Sequence, residues 1–179
     1  MSKIGRQPIA LGDVKVEIKG NEIHFTGKNN SGVHEVSELL KPVVEDGFLR
    51  LEAAKKTRDL NRVWGLHRAL VANKISGAAK PFEKQVQITG LGYKAIAKGQ
   101  QIEFSLGYSH KINFDLPQDV TVQIDKSGQL LTLQSYNKEL VGKVSGELRK
   151  LRPTEPYKGT GVRLTTDRVI RKAGKAKGA

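Results

Sequence analysis

The side chains able to act as nucleophile, base or metal ligand are few in this sequence and badly spaced for it. The 179 residues contain no cysteine, which excludes disulfides, thiolate catalysis and cysteine-type zinc sites. His24, His34, His67 and His110 are scattered and share no ligand spacing. His67 falls on the apolar stripe of a predicted helix, where a hydrogen-bonded core histidine is the expected reading. Ser109 and His110 are adjacent, which in a strand points them to opposite faces rather than at one another. Glu103 and Asp115 are the best acid–base pair available, yet nothing in the pattern puts them in a cleft. The string KGTG at 158–161 lacks the spacing of a nucleotide-hydrolysing phosphate loop. The expectation is a protein that is not an enzyme, holds no metal and uses no cofactor or small-molecule substrate.

The chemistry the sequence does offer is cationic. Lys and Arg number 31 against 18 Asp and Glu, a net charge of +13. The excess is unevenly placed: residues 1–80 carry a net +5, residues 81–148 none, and residues 149–179 the remaining +8. Such a balance calls for a polyanionic partner. Within the last segment lies RPTEPYKGTGVR, residues 152–163. Pro153 and Pro156 fix φ and remove two amide donors, so the chain is expected to run extended and outside a sheet ladder. Gly159 and Gly161 bring backbone close to a neighbour with no Cβ in the way. Lys158 and Arg163 flank them and Tyr157 offers a flat ring. Amides and cations for phosphates, with a ring for a base or sugar, suit an RNA backbone. In VRLT, Val162 and Leu164 are expected to pack inward and Arg163 to point outward. The plain alternative is a helix-to-strand connection with a type II turn. The neighbouring tail weighs against that alternative. It adds Arg168, Arg171, Lys172, Lys175 and Lys177 with Asp167 as its one anion, and cannot bury enough apolar surface to fold alone. Residues 167–179 are therefore expected to be disordered until they meet a polyanion.

The elements that must position this end are written twice. VEIKGNEIHFTG (16–27) resembles AIAKGQQIEFSLG (95–107), VEDGFLRLEAA (44–54) resembles IDKSGQLLTLQS (124–135), and NRVWGLHRALV (61–71) resembles KELVGKVSGEL (138–148). Three matches in one order at offsets near 80 indicate a duplicated unit. Each unit reads as hairpins followed by a helix. Val14, Val16 and Ile18 alternate with Lys15, Glu17 and Lys19, the period of a half-buried strand, and Gly20 turns it into a second strand. VTVQI (120–124) and LLTLQ (130–134) form another pair, and the second unit is expected to have the longer meander. Leu60, Val63, Trp64, His67, Leu70 and Val71 share one helical face, with Asp59 the candidate cap. Leu140, Val141, Val144, Leu148 and Leu151 share another, with Asn137 to cap it and Pro153 to stop it. Trp64 is expected in the core. Gly65 and Gly142, each costing ~1 kcal/mol in a helix, suggest close packing of helix on sheet. ISGAAKPFEK (75–84) reads as the linker. The fold class is α+β: two duplicated domains, each a small antiparallel β-sheet against one helix, at 1–80 and 81–170, then a basic tail at 171–179.

On these residues the chain resembles the bacterial large-subunit ribosomal protein six family along its whole length. The most specific carrier is EPYKGTGVR (155–163), which is similar to that family's Pro-Tyr-Lys-Gly-x-Gly signature. GYSHK (107–111), RVIRKAGK (168–175) and the opening MSKIGRQPI also match. The resemblance implies two related sheet-and-helix domains, binding to large-subunit (23S-type) ribosomal RNA mainly through the second, and a place at the stalk base near the sarcin–ricin loop and the translation-factor site. Neighbouring large-subunit proteins would be further partners. The RNA-binding positions it implies are Pro156, Tyr157, Lys158, Gly159, Gly161 and Arg163 with the basic tail; Arg152 and Thr160 complete the loop. The sequence departs from the family at Thr160, where lysine is common, at Leu164, where an aromatic is frequent, at Thr154, and at GKNNSG (27–32), where a Gly-Pro-Lys-Gly turn is usual. Thr160 removes one expected phosphate contact.

The other readings are weaker. A general single-stranded nucleic-acid binder needs exposed aromatic platforms, and aromatics are 6% of the chain, with Phe25, Phe48, Phe104 and Phe114 in strand patterns. A basic hydrolase lacks its site. A membrane-surface protein needs an amphipathic segment, and GKAKGA has no apolar face. With no apolar run of ~18 residues and no apolar region behind Lys3 and Arg6, a cytoplasmic protein that keeps its N-terminus is expected. A unit of 80 residues buries only about two-thirds of its unfolded surface. Residues 1–80 expressed alone are thus expected to melt below the whole chain, as circular dichroism will read; an equal melting temperature overturns this.

Overall fold

The period-two and period-3.6 patterns become strands and helices in a computed structural model, which describes residues 2–28, 30–55 and 57–174. The described chain forms two compact units. The first runs through Pro81 and takes in Tyr136–Lys138; the second holds Phe82–Ser135 and resumes at Glu139.

The first unit contains β1 (Ile9–Ala10), β2 (Lys15–Lys19), β3 (Glu22–Thr26), β4 (Ser31–Glu35), β5 (Leu40–Glu45), β6 (Phe48–Ala53) and α1 (Leu60–Ala79). Its strands form two antiparallel sheets, ordered β2-β3-β4 and β1-β6-β5. The second contains β7 (Phe82–Thr89), β8 (Lys94–Lys98), β9 (Gln101–Ser105), β10 (Ile112–Asp115), β11 (Thr121–Ile124), β12 (Leu130–Ser135), all but the first residue of α2 (Lys138–Leu151), and β13 (Gly161–Leu164). Here the sheets are ordered β8-β9-β10 and β11-β12-β7-β13. The α+β class with one helix per unit holds, and the strands of each unit divide between two small sheets rather than one. The duplication is visible in the pairing: β2-β3-β4 answers to β8-β9-β10, and β1-β6-β5 to β7-β12-β11. Gly20 and Gly99 turn matching hairpins at φ 62° and 63°, a conformation that a Cβ disfavours.

Each unit has its own apolar core. In the first, Ile23, Phe25, Leu49 and Leu51 meet Leu60, Trp64, Val71 and Ile75 of α1. In the second, Val86, Ile102, Phe104, Leu131 and Leu133 meet Val141, Val144 and Leu148 of α2. Trp64 is core, as its place on the stripe predicts, and its indole N–H donates to the Leu51 carbonyl at 2.8 Å, satisfying the one polar atom it buries.

Four details differ from the sequence reading. Asp59 precedes α1 but makes no side-chain cap; it is itself helical, and its carboxylate pairs with Arg62 instead. The expected linker is mostly structured: α1 runs through buried Gly77 to Ala79 and β7 starts at Phe82, which leaves only Lys80 and Pro81 between them. The helical glycines do not mark a close approach of helix to sheet. A Cβ at Gly142 would meet nothing within 4 Å, and one at Gly65 only the Ser2 hydroxyl at 3.2 Å. Ser109 and His110 lie in a bend between β9 and β10, not in a strand.

The histidines are less scattered than their spacing suggests. His34 on β4 and His67 on α1 meet ring to ring, Nε2 to Nδ1, at 3.1 Å. One nitrogen must carry a proton and the other accept it, so the contact has no room for a second proton. Burial, then the nearby Lys74 charge, then His67 hold the His34 imidazole down at about 4, and burial lowers His67 as well. The unfolded chain binds protons on both rings near pH 6.5, while the folded pair resists them. The stabilisation is therefore fully present above that pH and is lost as the pH falls toward 4. Denaturant titration is expected to show roughly 1–2 kcal/mol lost between pH 6.5 and 5. His34→Gln should flatten that slope, and an unchanged slope in the variant would show that other groups carry it.

Candidate nucleic-acid interface

The cationic loop hangs between two fixed points. α2 ends at Leu151, where Pro153 forbids continuation, and β13 pairs antiparallel with β7 through Gly161↔Thr89 to Leu164↔Val86. The ends are tied by the Val162 N–H, which donates to the Arg152 carbonyl at 2.8 Å. Inside this closure the Glu155 N–H donates to the Thr160 carbonyl and the Gly159 N–H to the Glu155 carbonyl, both at 2.9 Å. The Glu155 carboxylate then accepts from the Tyr157 N–H at 3.1 Å and the Lys158 N–H at 2.8 Å. These are charge-assisted bonds of the kind that cap helices.

This accounting alters the expected role of the loop backbone. Pro156 has no N–H, and the amides of Glu155, Tyr157, Lys158 and Gly159 are all spent within the loop. They form no cradle for a phosphate. What faces outward is side chain: the Tyr157 ring is 57% exposed and Lys158 is exposed beside it. The glycines likewise have an internal reason. Gly161 has φ 139°, and a Cβ there would stand 2.7 Å from the Pro153 carbonyl oxygen and 2.8 Å from the Thr154 Cα. Gly159 is buried with φ 71°, with the Arg171 guanidinium over the site of its missing Cβ. Thr160 is half-buried and gives its carbonyl to the closure.

Val162 is fully buried, as the alternation predicts, but Arg163 is not a free outward cation. It is half-buried, and its Nη2 donates to the Gln87 side chain across the β13–β7 pair at 2.9 Å. The tail is more ordered than its composition suggests as far as Gly174, where the described residues end. The Asp167 carboxylate accepts from the Leu164 N–H at 3.1 Å and from Arg149 at 3.3 Å. The Lys172 N–H donates to the Pro156 carbonyl at 2.9 Å, which lays Arg171 and Lys172 along the loop. Backbone bonds and an ion pair thus replace the apolar burial that the composition lacks. Arg168, Arg171 and Lys172 are exposed; Lys175 and Lys177 lie outside the described residues. Arg149 and Arg168 also line a cavity of about 450 Å³ whose walls include Pro153, Pro156, Val169 and Ile170.

Arg152, the first cation of the loop, sits over the Tyr108 ring with its Cζ 4.6 Å from the centroid. Its charge is favoured first by hydrogen bonding to the Tyr108 hydroxyl and then by Tyr93. Tyr108 in turn donates its hydroxyl proton to the Leu151 carbonyl at 3.1 Å and stacks with His110 at 5.9 Å and 23°. Sequence reasoning missed Glu155, Arg149 and Tyr108. Glu155 has a local signal in hindsight, a carboxylate two and three residues before the amides it caps. Tyr108 has none but its presence in GYSHK.

The enzyme-like candidates do not assemble. Glu103 is clamped by Lys98 and Lys111, each at 2.6 Å, and hydrogen bonds from Lys111 and then Lys98 hold its carboxyl at about 2. Asp115 accepts from Gln101 at 2.6 Å. Among the described residues no three His, Asp or Glu side chains are grouped to hold a metal, and no helix is long and apolar enough to cross a membrane.

Known proteins share this pattern of residues. The family model for Ribosomal protein L6 matches residues 89–164, the span from the end of β7 through β13. Large ribosomal subunit protein uL6 of Campylobacter fetus subsp. fetus is 39% identical over 98% of both chains. The proteins of that name from Campylobacter jejuni subsp. jejuni and Nautilia profundicola are 38% and 36% identical over the same shares. Likeness at that level from one end to the other takes in both units and the closed loop: the chain belongs to the ribosomal protein L6 family.

Proposed function

We propose that this chain is a structural, non-catalytic constituent of the large ribosomal subunit, working in the cytoplasm. It binds large-subunit (23S-type) ribosomal RNA with the loop-and-tail face of its second unit. The observation that carries the reading is the closed loop itself. The amides of Glu155, Tyr157, Lys158 and Gly159 are bonded within the loop, and its cations, Lys158 with Arg168, Arg171 and Lys172 of the tail, are exposed. Such a surface neutralises phosphates where RNA segments would otherwise repel one another, and it recognises their arrangement rather than base edges. Lys175 and Lys177 extend the same charge. Arg152 and Arg163 position the loop ends as well as adding charge, while Pro156, Gly159, Thr160 and Gly161 shape it and Tyr157 presents its ring. In the subunit we place the chain at the stalk base, beside the sarcin–ricin loop and the translation-factor site, with neighbouring large-subunit proteins in contact. The two sheet-and-helix units act as stiff bodies that aim the cationic face.

Because the tail backbone holds the loop, substitution tests its charge more cleanly than deletion. Changing Arg171, Lys172, Lys175 and Lys177 to Gln together should lower the slope of log K against log salt by about 3–4, from ~0.7–0.9 released counterion per contact. A slope equal to that of the parent protein removes the tail from the interface. Lys158→Ala should weaken RNA binding with no change in circular dichroism, whereas Arg163→Ala should also lower the melting temperature through its lost bond to Gln87. Glu155→Ala strips the cap from two amides and should cost about 1 kcal/mol, a drop of roughly 2–4 °C. A melting temperature that stays put would show that the loop holds its shape without the carboxylate.

A further inference from the structure

The stretch GYSHK has no role in the phosphate-binding face, yet its aromatic groups are arranged with care. We propose that the turns at residues 90–93 and 107–110, joined to Arg152, form a second RNA contact of another kind: a stacking platform for an unpaired nucleobase. The proposal rests on the reading that the chain binds ribosomal RNA and gives that binding a base-facing component.

Tyr108 is 40% exposed and His110 is exposed, so neither ring is placed by core packing. They nonetheless lie nearly parallel, 23° apart, with the Arg152 guanidinium against the Tyr108 ring. The Tyr108 hydroxyl is anchored on the Leu151 carbonyl at the end of α2, which fixes the ring relative to the cationic loop. Behind it, Tyr93 fills the space left by two glycines: a Cβ at Gly90 or Gly107 would stand 2.6 or 2.7 Å from the Tyr93 ring. That ring locks the two turns together, and Leu91 stands fully exposed at the tip of one of them. With the Tyr108 ring anchored before binding and His110 lying nearly parallel to it, a third flat group that joins the stack finds one of its partners already ordered. A nucleobase is such a group, and stacking is tolerant of which base it is. Arg152 joins this platform to the cationic loop, since its guanidinium lies over the Tyr108 ring and its carbonyl closes the loop, and a partner that is at once flat and polyanionic is a nucleic acid.

The test measures binding of the full-length protein to a large-subunit (23S-type) RNA transcript across a salt series. Tyr108→Leu and His110→Ala should each weaken binding by about 10-fold with the salt slope unchanged, because a stack releases no counterions. Tyr108→Phe keeps the ring and loses only its anchor on Leu151, so it should bind less tightly than the parent but several-fold more tightly than Tyr108→Leu. Affinity unchanged in both Tyr108→Leu and His110→Ala overturns the platform. So does a Tyr108→Phe variant as weak as Tyr108→Leu, which would assign the effect to the hydroxyl anchor, and so does a reduced salt slope, which would make this a phosphate contact. Should Tyr108→Leu unfold, His110→Ala decides, since that ring is exposed. The underlying reading fails separately: parent protein that shows no salt-dependent binding to the transcript removes the RNA partner itself.

Discussion

The pairing of β13 with β7 is the constraint on which the candidate interface depends. Four residue pairs add the strand after α2 to the edge of a sheet that is otherwise complete. Once that strand is seated, the ten residues from Arg152 to Gly161 must cover a fixed gap, and one backbone bond from Val162 to Arg152 closes it. The loop is then held from both ends by elements that carry a fully buried core, Leu148 on one side and Val162 on the other. A surface loop ordered in this way pays its conformational cost during folding rather than at the moment of binding.

Electrostatics work around that constraint rather than creating it. The last 31 residues carry a net +8, a density that would push the loop and tail apart if nothing opposed it. Their only two anions are both at joints. Glu155 caps the turn at Tyr157 and Lys158, and Asp167 ties the end of β13 to Arg149 of α2. Each carboxylate removes one charge from the face and fixes one cationic residue in return, Lys158 through its amide and Arg149 through its side chain. The same division appears on the β8–β9–β10 sheet, where Glu103 binds two lysines, Lys98 and Lys111.

How much of this could be read in advance depended on range. The strand alternation around Val16 and the stripe from Leu60 to Val71 are periodic, and they fold as the period dictates. The duplication could be read because hairpin glycines such as Gly20 and Gly99 serve the same geometry in both copies. The cationic end stood out by its charge and by the prolines and glycines of residues 152–163. The failures are contacts that sequence distance hides. His34 and His67 are 33 residues apart, and no local pattern joins β4 to α1. Tyr108 and Arg152 are more remote still. Two local readings failed for another reason: a residue type has several uses. Asp59 spends its carboxylate on Arg62 rather than on the helix end, and the glycines at 159 and 161 accommodate the chain's own backbone and Arg171 where an external ligand was expected.

The duplicated sheets close their edges differently, and this bears on biosynthesis. In the first unit the outermost strand β1 is only two residues long, which leaves little ladder for a stray chain to extend. Its counterpart β7 has eight residues, and its open side is covered only by β13, made from residues 161–164. A growing polypeptide released before that point lacks the covering strand, and with it the tie that shapes the cationic loop. The strand that covers the β7 edge of the second unit is thus the one that shapes the cationic loop, and both depend on residues 161–164 having been made.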